Sequence, residues 1–285
     1  MRVKMVDSRR EPKRALMIQH LVQPLRSSYE RPRSSAVSSD YTTQPRALTA
    51  LWIGLLLVVI VPLLGPLLPF TRPTITGIHI LGVMSGRIRY TLDSQAYSAF
   101  TAYIRQDVGF KWLRTFGIVA LVILWERRSI ATIGWRRSST LDIGIVLLSC
   151  LTLMFVRRSM DYYFAHPAPS NVQLGVALLP FGLRAAMVVT AAVTEEVERG
   201  YLIERLEGLG LSVGAIVGIA WTVFVFEHAA SWNISHAIRI VPTAALLVLV
   251  YTWRRNLISC VLVHLWVDAS VLLRLSDLPA FLFHH

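Results

Sequence analysis

The chain has 285 residues, a formal net charge of +12, 54% hydrophobic residues and 16% charged residues. A soluble domain carries about 25% charged and about 45–50% apolar residues, so this composition excludes an ordinary soluble protein. Several apolar runs approach the length of about 20 residues that a helix needs to cross hydrocarbon. Because the runs are continuous rather than alternating, the spans are predicted to be helices. The predicted fold is an all-α, polytopic membrane helical bundle.

The positive charge lies mainly outside the apolar runs. Residues 1–46 contain ten basic and four acidic residues, which is half of the net charge, and most of the rest lies in short loops. This distribution is typical of residues that set membrane topology, so no nucleic-acid partner is predicted. Cys150 and Cys260 lie within apolar runs and are predicted to be small buried hydrophobic residues.

The N-terminal part of the chain is predicted to contain an extension, a first span and a loop. Residues 1–46, rich in arginine, serine and proline, are predicted to be a basic disordered extension. Residues 47–110 combine the first span, at about 48–70, with a mixed loop. Within that loop, residues 97–105 are expected to form a short interfacial helix.

Residues 111–275 are predicted to form the helical core, and residues 276–285 a C-terminal tail. Polar segments separate six further apolar runs in this core. The corresponding spans are predicted at about 112–125, 141–156, 172–206, 211–228, 240–253 and 257–273. The helix at 172–206 is expected to be broken or tilted near Pro180. The bundle therefore has about seven transmembrane helices.

The basic residues predict the orientation of the bundle. Basic clusters at the N-terminus, at 127–137 and at 254–255 fall on one side of the membrane when seven spans are counted. The positive-inside rule then places the N-terminus in the cytoplasm and the C-terminus outside. The arginine pair at 157–158 falls on the opposite side, so six and eight spans are open alternatives.

Three polar clusters interrupt the apolar C-terminal third of the chain. They are Glu195-Glu196-Val197-Glu198-Arg199, Phe224 with His228, and His264 with Asp268. A charged side chain near the bilayer centre costs about 2.5–3.5 kcal/mol on insertion scales, so such residues usually face a cavity and have a function there. Carboxylates and imidazoles are the groups that activate a water for hydrolysis.

The glutamate cluster is the strongest of the three signals. At about 100° per residue, Glu195 and Arg199 share one face of a helix, and Glu196 also reaches Arg199. Three acidic residues beside one basic residue leave surplus negative charge, and crowded carboxylates suit a general base. The alternative is that the helix has reached the membrane interface here, where charged side chains are tolerated.

The histidines also allow two interpretations. His264 and Asp268 are four residues apart and share a helix face, so they can bind a metal, or Asp268 can orient the imidazole. The alternative is a polar pair that joins helices, which contributes about 0.6 kcal/mol on average in membranes. His228, beside Glu227, is either a functional group or a hydrogen bond between helices.

Together the clusters resemble the CAAX protease and bacteriocin-processing family of intramembrane endopeptidases, related to the type II CAAX prenyl proteases. That family carries Glu-Glu-x-x-x-Arg, Phe-x-x-x-His and His-x-x-x-Asn/Asp motifs on separate transmembrane helices. The counterparts here are Glu195-Glu196 with Arg199, Phe224 with His228, and His264 with Asp268. Segments 126–134, 199–202 and 251–255 also look like family sequence, and the resemblance covers about residues 110–273.

The resemblance implies an enzyme, a CAAX prenyl protease-like intramembrane peptidase that cleaves membrane-associated or lipid-anchored peptides. It implies that Glu195, with Glu196, acts with His228 to deprotonate a water. His264 and Asp268 are then implied to stabilise the oxyanion or to complete a metal site. The implied partners are a membrane-embedded or lipidated peptide substrate and the lipid bilayer.

A divalent metal such as zinc is a further implication of the resemblance, because some family members are regarded as metalloproteases. The ligands available for it here are Glu195, His228 and His264.

The first motif departs from the family pattern. Only two residues, not three, separate Glu196 from Arg199, the residue implied to hold the glutamates ionised and in place. Either one residue has been lost, or Thr194 and Glu195 occupy the positions of the glutamate pair. Glu195 is present under both alignments and is therefore the first candidate for the base.

Two other functions are weighed against the protease. The shortened motif favours a non-catalytic relative that acts as an immunity or scaffold protein in the membrane. Intramembrane acidic residues also occur in the proton relays of transporters. A transporter is less favoured because the chain has no internal repeat and no acidic residue in mid-run of the first two spans.

Overall fold

The computed structural model describes residues 45–64, 78–84, 87–92, 94–163, 176, 178–232 and 234–273. The predicted disordered extension lies outside the described residues, except for its last two residues, which begin the first helix. The predicted C-terminal tail, 276–285, also lies outside them.

Within the described residues the fold is helical except for one hairpin, which confirms the predicted class. The helices are α1 (Pro45–Leu55, continued by a π-helical turn Leu56–Ile60 and an α-helical end Val61–Leu64), α2 (Ser94–Ala120, continued by a π-helical turn Leu121–Trp125), α3 (Thr140–Tyr163), α4 (Phe181–Gly208), α5 (Val213–Trp232), α6 (Ile234–Arg254) and α7 (Leu257–Leu272). A short 3₁₀ helix, Ile130–Ile133, lies between α2 and α3.

Length and composition support a membrane location. Four helical segments in the described part of the chain are long and apolar enough to cross a bilayer: Tyr97–Trp125, Thr140–Met160, Val213–Ala230 and Ala237–Arg254. Two shorter apolar helices lie at Leu48–Ile60 and Leu257–Leu272. The remaining helix, α4, carries the charged cluster. The chain is therefore an integral membrane protein.

The region before α2 differs from the prediction. The expected separate helix at 97–105 is wrong, because α2 begins at Ser94 and continues through the whole predicted second span. No proline interrupts this stretch, and each of its two glycines, Gly109 and Gly117, costs a helix only about 1 kcal/mol. An antiparallel hairpin that the sequence did not predict precedes α2. Its strands are β1 (Ile78–Met84) and β2 (Arg87–Leu92).

Helix α4 is surrounded by the other helices. It packs against α2, α5 and α7, and every residue from Thr194 to Ile203 is buried. The helix begins at Phe181, directly after Pro180, where the sequence predicted a break. A helix covered on all sides in this way can hold charged groups out of contact with lipid.

Side-chain hydrogen bonds fix the turn between α6 and α7. The Asn256 side-chain oxygen accepts hydrogen bonds from the amides of Ile258 and Ser259, so Asn256 caps α7. The Asn256 amide nitrogen donates to Asp142 of α3 over 3.2 Å. Arg254 also donates to Asp142, over 2.8 Å. This network sets the depth at which α7 starts, and therefore the depth of His264.

A second network joins α4 to the segments around the 3₁₀ helix. Arg205 donates to both carboxylate oxygens of Glu126, and the Tyr201 hydroxyl donates to one of them over 3.1 Å. The Tyr251 hydroxyl and Arg255 both donate to Glu204, over 3.2 and 2.9 Å. These bonds hold α4 in register with α2 and α6 at the end of the bundle where the 3₁₀ helix lies.

Gly200 allows α4 to pack closely against the 3₁₀ helix and α6. A Cβ atom at Gly200 would lie 2.7 Å from the Ile133 carbonyl oxygen and 3.1 Å from the Tyr251 hydroxyl. We expect Gly200→Ala to lower the free energy of unfolding by about 1–3 kcal/mol, the usual cost of overpacking. Thermal unfolding in detergent micelles measures the change.

Gly117→Ala in α2 is the matched control for this prediction. A Cβ atom there meets no neighbouring atom within 4 Å, and alanine favours a helix over glycine by about 0.5–1 kcal/mol. We therefore expect Gly117→Ala to leave the melting temperature unchanged or to raise it. Equal melting temperatures for the two variants would contradict the close packing at Gly200.

Candidate active site

The glutamate cluster lies inside the bundle, not at its surface. The side chains of Glu195, Glu196 and Arg199 are 5%, 0% and 2% exposed. These charges are therefore held by contacts with other helices, and the alternative that α4 has reached the membrane interface here stays untested. Charges buried this deeply are stable only when they are paired and hydrogen-bonded.

The two carboxylate oxygens of Glu195 have different surroundings. Oε1 accepts a hydrogen bond from the Lys111 ammonium of α2 over 2.9 Å. Oε2 lies 3.8 Å from His228 Nε2 and 3.7 Å from His264 Nε2. This oxygen is buried and has no hydrogen-bond partner. A reactive carboxylate oxygen thus faces two imidazoles that come from two other helices.

His228 is oriented by its own helix. It follows Phe224 by one helical turn in α5, and its Nδ1 lies 3.0 Å from the Phe224 carbonyl oxygen. Because a carbonyl only accepts hydrogen bonds, Nδ1 carries the proton in this contact. In the neutral ring Nε2 is then the basic nitrogen, and it is the nitrogen that faces Glu195.

His264 is held between two carboxylates. Its Nδ1 lies 2.7 Å from Glu196 Oε1, and its Nε2 lies 3.5 Å from Asp268 Oδ2, one turn along α7. Asp268 is 24% exposed and Lys111 is 22% exposed, whereas Glu195 is 5% exposed. Asp268 and Lys111 are thus more exposed than the Glu195 carboxylate, which contacts Lys111 and lies near both histidines.

Arg199 connects two of the motifs. It donates to Glu196 within the first motif, and its guanidinium lies over the Phe224 ring at 4.2 Å from the centroid. The same ring lies 4.3 Å from the His228 ring, centroid to centroid. Stacking of a guanidinium on an aromatic face stabilises both groups when they are desolvated. Phe224 thus fixes the relative positions of Arg199 and His228.

The charge balance differs from the prediction that three acidic residues share one arginine. Arg199 binds Glu196, but Glu195 binds Lys111 and Glu198 binds Arg114, the latter pair through two hydrogen bonds of 2.7 and 2.6 Å. The prediction that the three glutamates leave surplus negative charge around Arg199 is therefore wrong. Arg114 also lies 3.7 Å from Glu227 of α5.

Sequence reasoning missed Lys111 and Arg114. Both lie in α2, three residues apart, and they pair with Glu195 and Glu198, which are also three residues apart. The signal in the sequence was two basic residues at helical spacing inside an otherwise apolar run. Such residues need an acidic partner in the membrane, and the sequence offers Asp107, one turn before Lys111, and the glutamate cluster.

The geometry does not test the predicted metal site at Glu195, His228 and His264. Within the described residues, no group of three or more His, Cys, Asp or Glu side chains is arranged so that it can hold a metal ion. The donor types at Glu195, His228 and His264 suit zinc, but zinc requires its ligands at about 2.0–2.2 Å. Zinc binding by these residues stays a prediction, and the hydrolysis proposed for this site does not require it.

The C-terminal part of the chain is similar to one known protein family. Residues 177–270 match the family described as Type II CAAX prenyl endopeptidase Rce1-like. Over this segment, about a third of its length, the chain is similar to the CAAX protease family, which agrees with the resemblance that the three motifs predict. The matched segment contains all three motifs but neither Lys111 nor Arg114. No curated protein and no solved structure matches the chain.

The Arg114–Glu198 pair is expected to be a requirement for stability. Removing one partner of a buried ion pair leaves an uncompensated charge and costs about 3–5 kcal/mol. We therefore expect Arg114→Met to lower the melting temperature in detergent strongly. The double variant Arg114→Met with Glu198→Gln removes both charges and should recover part of the loss. Equal destabilisation in the single and double variants would show that the pairing is not the cause.

Proposed function

We propose that this protein is an intramembrane endopeptidase that hydrolyses peptide bonds of membrane-embedded or lipid-anchored peptides. The similarity of residues 177–270 to the CAAX endopeptidase family supports peptidase activity in general. The observation that carries the proposal is the unpartnered Glu195 Oε2, which lies within 3.8 Å of Nε2 of both histidines. A water molecule placed among these three atoms has a base on one side and an oriented imidazole on the other.

The first step activates the water. One hydrogen of the water is donated to His228 Nε2, which holds the molecule in place, and the other is transferred to Glu195 Oε2. The resulting hydroxide adds to the scissile carbonyl carbon, and the carbonyl electron pair moves to its oxygen. A water that is already oriented in this way loses little entropy on reaching the transition state.

The second step stabilises the tetrahedral intermediate and releases the products. His264 has a carboxylate near each ring nitrogen, so a protonated ring bound to Glu196 through Nδ1 can donate from Nε2 to the oxyanion. The C–N bond then breaks, its electron pair goes to nitrogen, and Glu195 returns the proton to the leaving amine. The products are a new carboxyl terminus and a new amino terminus, and the base is regenerated.

The geometry also distinguishes Glu195 from its two neighbours in the shortened motif. Glu195 faces both histidines, whereas Glu196 is bound by Arg199 and His264 Nδ1, and Thr194 is buried beside them. We infer that Glu195 is the base and that Glu196 orients His264. The base therefore precedes Arg199 by four residues, one helical turn.

The experiment that tests the function compares peptide termini in host membranes. Cells express the intact chain, His228→Ala, Glu195→Gln or Glu196→Gln at matched levels, and mass spectrometry identifies new termini. We expect His228→Ala and Glu195→Gln to abolish the termini, since loss of general base catalysis costs about 10²–10⁴-fold in rate. Glu196→Gln, which removes only a supporting charge, should reduce their amount by less.

Glu207→Gln is the control for this experiment. Glu207 lies on the same helix but is 47% exposed and pairs with Arg255 at the end of α4, so its removal should leave the termini unchanged. Termini that are identical in all variants and in cells lacking the gene, despite normal insertion, would reject the peptidase.

A non-catalytic relative, acting as a scaffold or immunity protein, is the second candidate. The observation that favours it is that Glu195 and Glu196 each have a basic partner, as purely structural carboxylates do. It predicts that a biological phenotype of the gene survives both Glu195→Gln and His228→Ala.

A further inference from the structure

The two ion pairs between α2 and α4 have the same spacing but different geometry. Lys111 donates to one oxygen of Glu195, over 2.9 Å. Arg114 donates to both oxygens of Glu198, over 2.7 and 2.6 Å. As a consequence, both oxygens of Glu198 accept hydrogen bonds from Arg114. Only one oxygen of Glu195 is bound by Lys111, and the other, Oε2, faces the space between the histidines.

The chemistry of the two cations explains the difference. A guanidinium presents a rigid fork of N–H groups that matches both oxygens of a carboxylate. An ammonium is a compact charge on a flexible stem and acts through one point. A lysine at position 111 therefore supplies the positive charge that a buried carboxylate needs without covering both of its oxygens.

The surroundings of Glu195 show that Lys111 is the cation bound to it. The titratable groups that face Glu195 or its cation are Asp107, Lys111 and Arg114 from α2, Glu198 from α4, Glu227 and His228 from α5, and His264 from α7. Asp268 contacts His264. The two neighbouring arginines bind other glutamates: Arg114 binds Glu198, and Arg199 binds Glu196. Loss of the Lys111 ammonium therefore leaves Glu195 without a permanent positive charge in contact.

We propose that Lys111 is a positioning residue of the peptidase: it binds Glu195 through Oε1 alone and thereby directs Oε2 at the water site between His228 and His264. The inference rests on the proposed function, because it assigns Lys111 a role in presenting the catalytic base. It also places a residue of α2, outside the segment that matches the family, in the machinery of the site.

Two variants separate the charge of Lys111 from its geometry. Lys111→Met keeps the length of the side chain and removes the charge, and we expect the rate of peptide cleavage to fall about 10²-fold or more, as for the loss of a buried charge-stabilising donor. The acid limb of its pH–rate profile should move to higher pH, because the Lys111 ammonium no longer offsets the cost of burying the ionised Glu195 carboxylate. Lys111→Arg keeps the charge, so the acid limb should stay in place while the rate falls, because the fork covers Oε2.

Glu207→Gln is the matched control. The Arg255–Glu207 pair has a length similar to that of the Lys111–Glu195 pair, 2.8 Å against 2.9 Å, but it lies at the end of α4, and Arg255 keeps Glu204 as a partner when Glu207 is lost. Losing this pair removes an ion pair of the same helix without touching the histidines. We expect the rate and the pH–rate profile of Glu207→Gln to match those of the unsubstituted chain. Because Lys111→Arg keeps its charge, we expect its melting temperature to stay close to that of the unsubstituted chain, so that a slower rate reports the site and not unfolding.

The measurement uses washed membranes from cells that express each full-length variant, incubated over a series of pH values. The readout is the rate at which the termini that depend on His228 accumulate. If the unsubstituted chain produces no such termini, the proposed function fails and the inference fails with it. If it produces them and Lys111→Met is as fast, the inference alone is overturned. If Lys111→Arg is as fast as lysine, the single-point role of the ammonium is overturned.

Discussion

The structure depends on the cost of keeping charged side chains away from water. Three glutamates and an arginine lie within five residues of α4, and all of them are buried. Each glutamate is stable there because a cation contacts it, Lys111 and Arg114 from α2 and Arg199 from α4 itself. Unpaired, each carboxylate would lose several kcal/mol of hydration without compensation. The packing of α2 against α4 is therefore an electrostatic requirement.

The same pairing gives the three glutamates different roles. Glu198 is bound through both oxygens and contributes to the contact between α2 and α4. Glu196 is shared by Arg199 and His264 and fixes the ring of that histidine. Glu195 is bound through one oxygen, and its second oxygen faces the histidines. Residues of the same chemical type thus differ in function because their partners differ in number and geometry.

The segments around the motifs also contact one another. Gly200 packs against the carbonyl of Ile133 and the hydroxyl of Tyr251, and the carbonyl of Gly134 accepts a hydrogen bond from the amide of Leu257, over 2.8 Å. These contacts join α4 to α6, to the start of α7 and to the segment after α2, about one to two helical turns from Glu195 and His264. Family-like sequence at 126–134, 199–202 and 251–255 is explained by this junction, which holds the depth of each helix and hence the alignment of Glu195 with His264.

The sequence by itself determined the helical membrane fold, the position of most helices and the motif residues, because apolar run length and helical spacing are local properties of a chain. It did not determine which oxygen of Glu195 faces the histidines, that Arg199 binds Glu196 alone, or that α2 supplies Lys111 and Arg114. It also missed the hairpin and the full length of α2. These features depend on contacts between residues far apart in the chain, such as Lys111 and Glu195, and only the packing of the helices decides which buried charges meet.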